Sequence, residues 1–154
     1  ADRGVGAALF DAVAATKPVS LADFAERLAA LQRFAELPEA AALAAANKRA
    51  RNILKKVEGA LPETIDASKL VEPAERELHD ALVAALADTD ASLAARDYVA
   101  VLSRLAALRA PVDAFFDGVM VMAEDPAVRD NRLALLKALA DRFAAVAAIE
   151  QLAS

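Results

Sequence analysis

Cysteine and tryptophan are absent from the 154 residues, and histidine and tyrosine occur once each. Without cysteine, disulfides and thiolate metal sites are excluded, and nothing points to secretion. A lone histidine, His79, is too little for a zinc or di-iron site in a helical protein, which needs several His and Glu ligands at paired spacing. Glu75 precedes it by four residues, so even a single Glu-x-x-His is missing. Glycine is scarce, with four residues, and none forms a glycine-rich phosphate loop. No Ser/His/Asp constellation is present, and no catalytic site is expected. Charges interrupt every apolar stretch before it reaches membrane-spanning length, and no signal peptide opens the chain. Basic charge is in deficit, with a net charge of −5. Bulk polyanion binding is therefore excluded, and any nucleic-acid contact must use a local patch.

What is abundant is alanine. With few glycines, prolines and aromatics, it argues for an all-α fold of thin, close-packed helices. The length suits one domain with a genuine core. The reading is a single helical domain over 1–154, a bundle of about six or seven helices, with 1–37 as a helical lead-in and 38–154 as the main bundle. The chain lacks an initiator Met and opens on Ala-Asp-Arg-Gly, so it reads as a piece of a longer protein.

Residues 5–15 predict a short helix with Val5, Leu9, Phe10 and Val13 inward, closed by Thr16-Lys17-Pro18. Ser20 caps a helix to about Phe34, with Phe24, Leu28 and Leu31 on one face. Leu37-Pro38 is the next break, and Pro38 begins a third helix running to Val57. An irregular segment from Glu58 to Pro73 follows, marked by Gly59, Pro62, Asp66 and Ser68. Pro73 restarts a helix with Leu78, Leu82 and Leu86 buried, ending near Asp88-Thr89-Asp90. A further helix opens at Ala91 or Ser92, passes Tyr98, Val101 and Leu102, and feeds a helical hairpin over 105–149, with Pro111 marking a kink or restart. Its first arm carries Leu105, Leu108, Val112, Phe115, Phe116 and Val119. The second carries Val128, Leu135, Leu136, Leu139, Phe143 and Val146, with Asp125 as N-cap and Pro126 at the first helical position.

Two features of the hairpin are unusual. Arg109 and Arg132 project into the apolar stripes at 3.6 residues per turn, while Asp113 and Asp117 line the edge of the first. A charge aimed at a core is tolerated when paired, so a buried or half-buried network of Arg109, Asp113, Asp117 and Arg132 is expected to tie the arms together. The segment Val119-Met120-Val121-Met122 is apolar on every face and is expected to be covered by other elements.

The third helix carries the clearest charge pattern. Lys48, Arg49, Arg51, Lys55 and Lys56 fall within nine residues, with no acid from Asn47 to Lys56. They occupy an arc of roughly 160° with Asn52 in its middle, while Ala46, Ala50, Ile53, Leu54 and Val57 take the opposite side. By contrast, residues 63–90 hold eight acids against Lys69 and Arg76. The bland interpretation is a solvated helix face. The functional one is a site for single-stranded RNA, where bases are read on their edges and phosphates attract cations. On that basis Lys48, Arg49, Arg51, Lys55 and Lys56 are candidate phosphate contacts, and Asn47, Asn52 and Asn131 are candidate base readers. Arg129, near the N-terminus of the second arm, is a further RNA candidate. Arg109 and Arg132 are assigned to the internal network ahead of RNA, and Phe115, Phe116, Met120 and Met122 to the core.

Three stretches resemble one known family. LRAPVDAFFDGVMVMAEDPAVRDNRLALL, from Leu108, is similar to the C-terminal end of the beta subunit of the bacterial two-subunit glycyl-tRNA synthetase. AALAAANKRARNILKK at 41–56 and the opening GVGAALFDAVAATKP match it in order and separation. The departures are Ala110, where the family usually has an acid, and Ala148 and Glu150, where it tends to read Asp and Ser. The resemblance implies an all-helical, DALR-type anticodon-binding domain that recognises glycine tRNA in the cytoplasm. It implies that the parent is a glycine–tRNA ligase using ATP and glycine at a separate alpha subunit, so that this region holds no catalytic site, metal or cofactor of its own and no DNA or membrane partner. Two other classes compete: a protein-interaction module docking another subunit or domain through the Val119–Met122 segment and the alanine-rich faces, and a phosphotransfer bundle working through His79.

Overall fold

Local punctuation sets where each helix starts and stops. The computed structural model describes residues 2–153, with side chains over 6–153. Seven α-helices are present among the described residues: α1 (Asp2–Ala14), α2 (Leu21–Ala35), α3 (Ala40–Lys55), α4 (Pro73–Ala94), α5 (Tyr98–Ala106), α6 (Arg109–Gly118) and α7 (Pro126–Ala144). Short 3₁₀ turns lie at Ala67–Lys69 and Ile149–Leu152. The Ser20 hydroxyl accepts from the Asp23 N–H to start α2, and the Asp125 carboxylate accepts from the Ala127 and Val128 N–H groups to start α7, with Pro126 as its first residue. Lys17 ends α1 with a left-handed φ of 52°, and Pro18 prevents its continuation.

The core is built around α7. Six consecutive residues, Asn131 to Leu136, are buried, so this turn is enclosed on every side. α3 and α4 each lie against both α6 and α7, while α2 packs on α5 and α1 covers the C-terminal 3₁₀ turn. The hairpin expected over 105–149 is thus rearranged. Its first arm breaks at Ala107-Leu108 into α5 and α6, and its two arms are joined through α3 and α4 rather than mainly against each other. Pro111 marks a restart, since it sits in the first turn of α6, where a missing N–H costs no hydrogen bond.

That break also explains why the expected Arg/Asp network is not the one found. Projection through a continuous helix assigns a phase that the Ala107-Leu108 turn resets. Arg109 Nε meets Asp113 Oδ2 at 3.3 Å on the surface, and Asp117 is exposed. Arg132 does lie buried, but its partner is Glu75 in α4, at 2.8 Å between Nη2 and Oε1. Its Nη1 donates to the Met120 carbonyl at 2.6 Å. The Glu75 oxygen also accepts from the Glu72 N–H at 3.0 Å, closing the first turn of α4.

Other expectations change at polar or flexible spots. α4 runs through Asp88-Thr89-Asp90 to Ala94 instead of ending there. Thr89 is buried and its hydroxyl donates back to the Ala85 carbonyl at 2.8 Å, while Asp88 and Asp90 are paired by Arg104 and Arg142. The Val119–Met122 segment is half covered. Val119 is extended and the chain bends at Val121-Met122, leaving Val119 and Val121 buried whereas Met120 and Met122 are largely exposed. Phe10 is also exposed rather than inward, its ring leaning on Phe24 at 5.1 Å. Leu9 and Val13 are buried as expected, and the Val5 side chain lies outside the described residues.

A second buried polar cluster fastens α2 to the end of α7. The Tyr98 hydroxyl donates to Asp23 Oδ1, and Arg27 Nε donates to Asp23 Oδ2 at 2.9 Å. Arg27 Nη1 then reaches the Ala145 and Val146 carbonyls at 2.7 and 2.9 Å, while its guanidinium lies over the Tyr98 ring. The cation thereby binds the carbonyls that leave the C-terminal end of α7, where the helix dipole favours positive charge. Hydrogen bonding from Tyr98, aided by Arg27 and opposed by burial, holds the Asp23 carboxyl below the ordinary range. Burial, and then the bond to Asp23, push the Tyr98 hydroxyl up.

Both clusters have measurable consequences for stability. Removing one partner of a buried ion pair strands the other charge, so Arg132→Ala should cost about 3 kcal/mol in urea unfolding; a loss near zero would show that Glu75 is not confined. The Asp23 contribution is present above its unfolded pKa of about 4 and disappears as pH falls through its lower folded value. The Tyr98 contribution is present below about 10 and disappears as pH rises through its higher folded value. Tyr98→Phe should therefore destabilise by about 1.5–3 kcal/mol near neutrality, move the acid limb of the stability–pH curve to higher pH, and remove the tyrosine-linked fall at high pH. An unchanged curve would contradict this account.

Candidate nucleic-acid interface

α3 is amphipathic in charge as well as in hydropathy. Ala40, Leu43, Ala44, Asn47 and Ala50 form its buried face, anchoring it against α6, α7 and the C-terminal 3₁₀ turn. On the opposite side Lys48, Arg49, Asn52, Lys55 and Lys56 are exposed, and Arg51 is half-buried. The cations lie toward the C-terminal half of the helix, where the backbone carbonyls favour positive charge.

The strip is neutralised at one point. Arg51 Nε pairs with Glu150 Oε2 at 3.1 Å. Lys48, Arg49, Lys55 and Lys56 have no ion-pair partner among the described residues. Lys48, Arg51, Asn52, Lys55, Glu150 and Gln151 line a shallow polar groove of about 240 Å³. At the other edge of the strip, Arg49 lies over the half-buried Phe116 ring of α6, its guanidinium carbon 4.7 Å from the centroid.

Two of the three expected base-reading amides are not available. Asn47 is buried, and its amide donates to Glu150 Oε1 at 2.9 Å. Its position falls outside the basic arc, one turn before Ala50 on the buried face. Asn131 is buried in α7 and bonds both ways to the Asp66 backbone, each at 2.8 Å, pinning the turn before α4. Asn52 alone of the three stands on the exposed strip. Arg129, in the first turn of α7, is half-buried and without an ion-pair partner among the described residues. His79 is partly buried, with Nδ1 3.7 Å from an Asp80 oxygen.

Sequence reasoning missed Glu150, which fixes both Asn47, 103 positions away, and Arg51, a pairing no local periodicity can reveal. The only signal at that position in the sequence is its departure from the family pattern. Phe116, expected wholly in the core, is a ring shared between core and surface. Among the described residues no group of three metal-ligating side chains is assembled, and no helix is long and apolar enough to cross a membrane.

Comparison with known proteins places this geometry. Residues 43–149, which include all of the basic strip, match the DALR anticodon binding domain. The chain is 62% identical over all 154 residues to the glycine–tRNA ligase beta subunit of Xanthomonas campestris pv. campestris, covering 22% of that protein. It is 55% identical over 153 residues, 99% of its length and 22% of the relative, to the same subunit of Leptothrix cholodnii. With that of Xylella fastidiosa the figures are 52% identity, all of this chain and 21% of the relative. The chain thus spans about a fifth of the length of the curated relatives it matches. A helical bundle matched from α3 to the C-terminal 3₁₀ turn, and carrying an exposed cationic helix within that span, belongs to the DALR anticodon binding domain family.

Proposed function

We propose that this chain is the anticodon-binding region of a glycine–tRNA ligase beta subunit and that it grips the anticodon loop of glycine tRNA through α3. The observation that carries the reading is the exposed, largely unpaired cation strip within the matched span. Lys48, Arg49, Lys55 and Lys56 supply phosphate attraction, and Asn52 supplies an amide within the strip. Arg51, held by Glu150, is a pre-oriented donor more than a free charge. In this reading the region recognises and the chemistry lies elsewhere: a separate alpha subunit, acting in the cytoplasm, activates glycine with ATP and transfers it to tRNA.

A protein-interaction reading also has support. Val19, Leu21, Met120 and Met122 present apolar side chains to solvent, with Val19 and Leu21 91% and 89% exposed. These lie away from α3 in sequence, so the two roles need not compete for the same residues.

Salt and charge separate the readings. In the full-length ligase, Lys48→Glu, Lys55→Glu and Lys56→Glu combined should weaken binding of a glycine-tRNA anticodon stem-loop by at least tenfold. The log–log salt slope should become shallower by roughly 0.7 to 0.9 for each phosphate that the variant no longer neutralises. Met120→Asp with Met122→Asp should leave that binding intact. Undiminished affinity in the triple variant would overturn the anticodon reading.

A further inference from the structure

Beside the cation strip, α3 and α6 border a shallow, open groove of about 310 Å³ lined by Ala42, Ala45, Ala46, Arg49, Asp113, Phe116 and Asp117. Its composition is unlike that of the polar groove at the other edge. The alanines have no side chain beyond Cβ, so a flat group can approach the helix backbone. The wall is Phe116 with the Arg49 guanidinium over it. Asp113, Phe116 and Asp117 share one face of α6, being spaced by three and four residues.

Charge pairing in this groove is incomplete. Arg49 and two carboxylates line the same space, yet Arg49 forms no ion pair with either and lies on the aromatic ring instead. Asp113 is held by Arg109. Asp117 is exposed and has no ion-pair partner among the described residues. The groove therefore offers a planar stacking surface and a free hydrogen-bond acceptor, next to side chains able to hold a phosphate chain. Phosphates are repelled by carboxylates; an exocyclic amino group is attracted to them.

We infer that this groove seats one anticodon cytosine, stacked on the Arg49–Phe116 platform with its amino group donating to Asp117. The inference rests on the anticodon reading. Every glycine codon begins with two guanines, so the loop that reads them carries two cytosines beside one variable base. Unstacked loop bases are bound on aromatic rings and guanidinium planes and read on their edges. Carboxylates accept from the cytosine amine, whereas uracil presents an oxygen acceptor at the same place. Asp117 thereby discriminates the two pyrimidines, and Arg49 couples the base seat to the phosphate strip.

The test is a cycle of protein and tRNA changes in the full-length ligase, read as kcat/KM for glycylation. Transcripts carry both cytosines, or uracil at one or the other. Asp117→Asn should lower kcat/KM on the unaltered tRNA by about tenfold or more. At one of the two positions the cytosine-to-uracil penalty should largely vanish in this variant, while at the other it stays in full. Arg49→Lys keeps the charge but removes the plane, and should lower kcat/KM on the unaltered tRNA while the penalties persist. Full penalties at both positions in the Asp117→Asn ligase would overturn the inference, whether or not its activity had fallen. If the lysine reversals on α3 still weaken anticodon stem-loop binding by tenfold or more, that result removes the cytosine seat alone. If those reversals are harmless, the anticodon reading falls with it.

Discussion

A guanidinium in the middle of an enclosed helix is the constraint from which much of this architecture follows. Arg132 sits in the turn of α7 that is buried on every side, where an unpaired charge is prohibitively costly. Three elements converge on it: α7 itself, the first turn of α4 through Glu75, and the link after α6 through the Met120 carbonyl, while Arg132 Nε and the second Glu75 oxygen stay buried without a partner among the described residues. The same Glu75 oxygen closes the start of α4, so helix initiation and charge burial are one event. With α4 and the α6–α7 link fixed against α7, α6 is placed beside α3, and the α3–α6 groove acquires its walls.

The other two polar clusters extend this logic to the ends of the bundle. Arg27 binds the Ala145 and Val146 carbonyls just past α7 while Asp23 and Tyr98 hold it in place. Glu150 ties the C-terminal turn to α3 through Asn47 and Arg51. Each cluster joins elements far apart in the chain, and each uses the direction of a hydrogen bond to specify a geometry that alanine-rich surfaces leave open. Small apolar side chains let helices approach closely, but they define register poorly, because one alanine face resembles another. Buried ionic and amide contacts supply the missing registry.

The interface inherits its character from this division of labour. α3 is gripped on one face by Leu43, Ala44, Asn47 and Ala50, which leaves its cations on a rigid support. A strip of lysines on a frayed helix would be a diffuse charge; on an anchored one it has a fixed spacing against a nucleic-acid backbone. Glu150 and Phe116 then shape its two edges, one by pairing with Arg51 and the other by holding the Arg49 guanidinium over its ring.

Much of this was legible in the order of residues. Helical class, the stop at Pro18, the caps at Ser20 and Asp125, the burial of Leu78 and Leu82 in α4 and of the leucines of α7, and the cationic arc of α3 follow from rules acting within a few residues, where 3.6-fold periodicity and capping chemistry apply. α3 itself starts at Ala40, two residues after the expected Pro38, and Leu86 is half-buried. Burial of Arg132 was legible too, since its position in an apolar stripe allows little else. Its partner was not, because Glu75 lies 57 positions away and only packing brings them together. The same limit hid the roles of Asn47, Asn131 and Glu150, and it concealed that Thr89 and its flanking aspartates stay helical. The chain by itself determined which segments are helices and which faces are greasy or charged, because those are local properties. Tertiary structure alone decided which charges meet, which amides are used up, and which acceptors remain free beside the strip, because those depend on contacts between segments that no local rule connects.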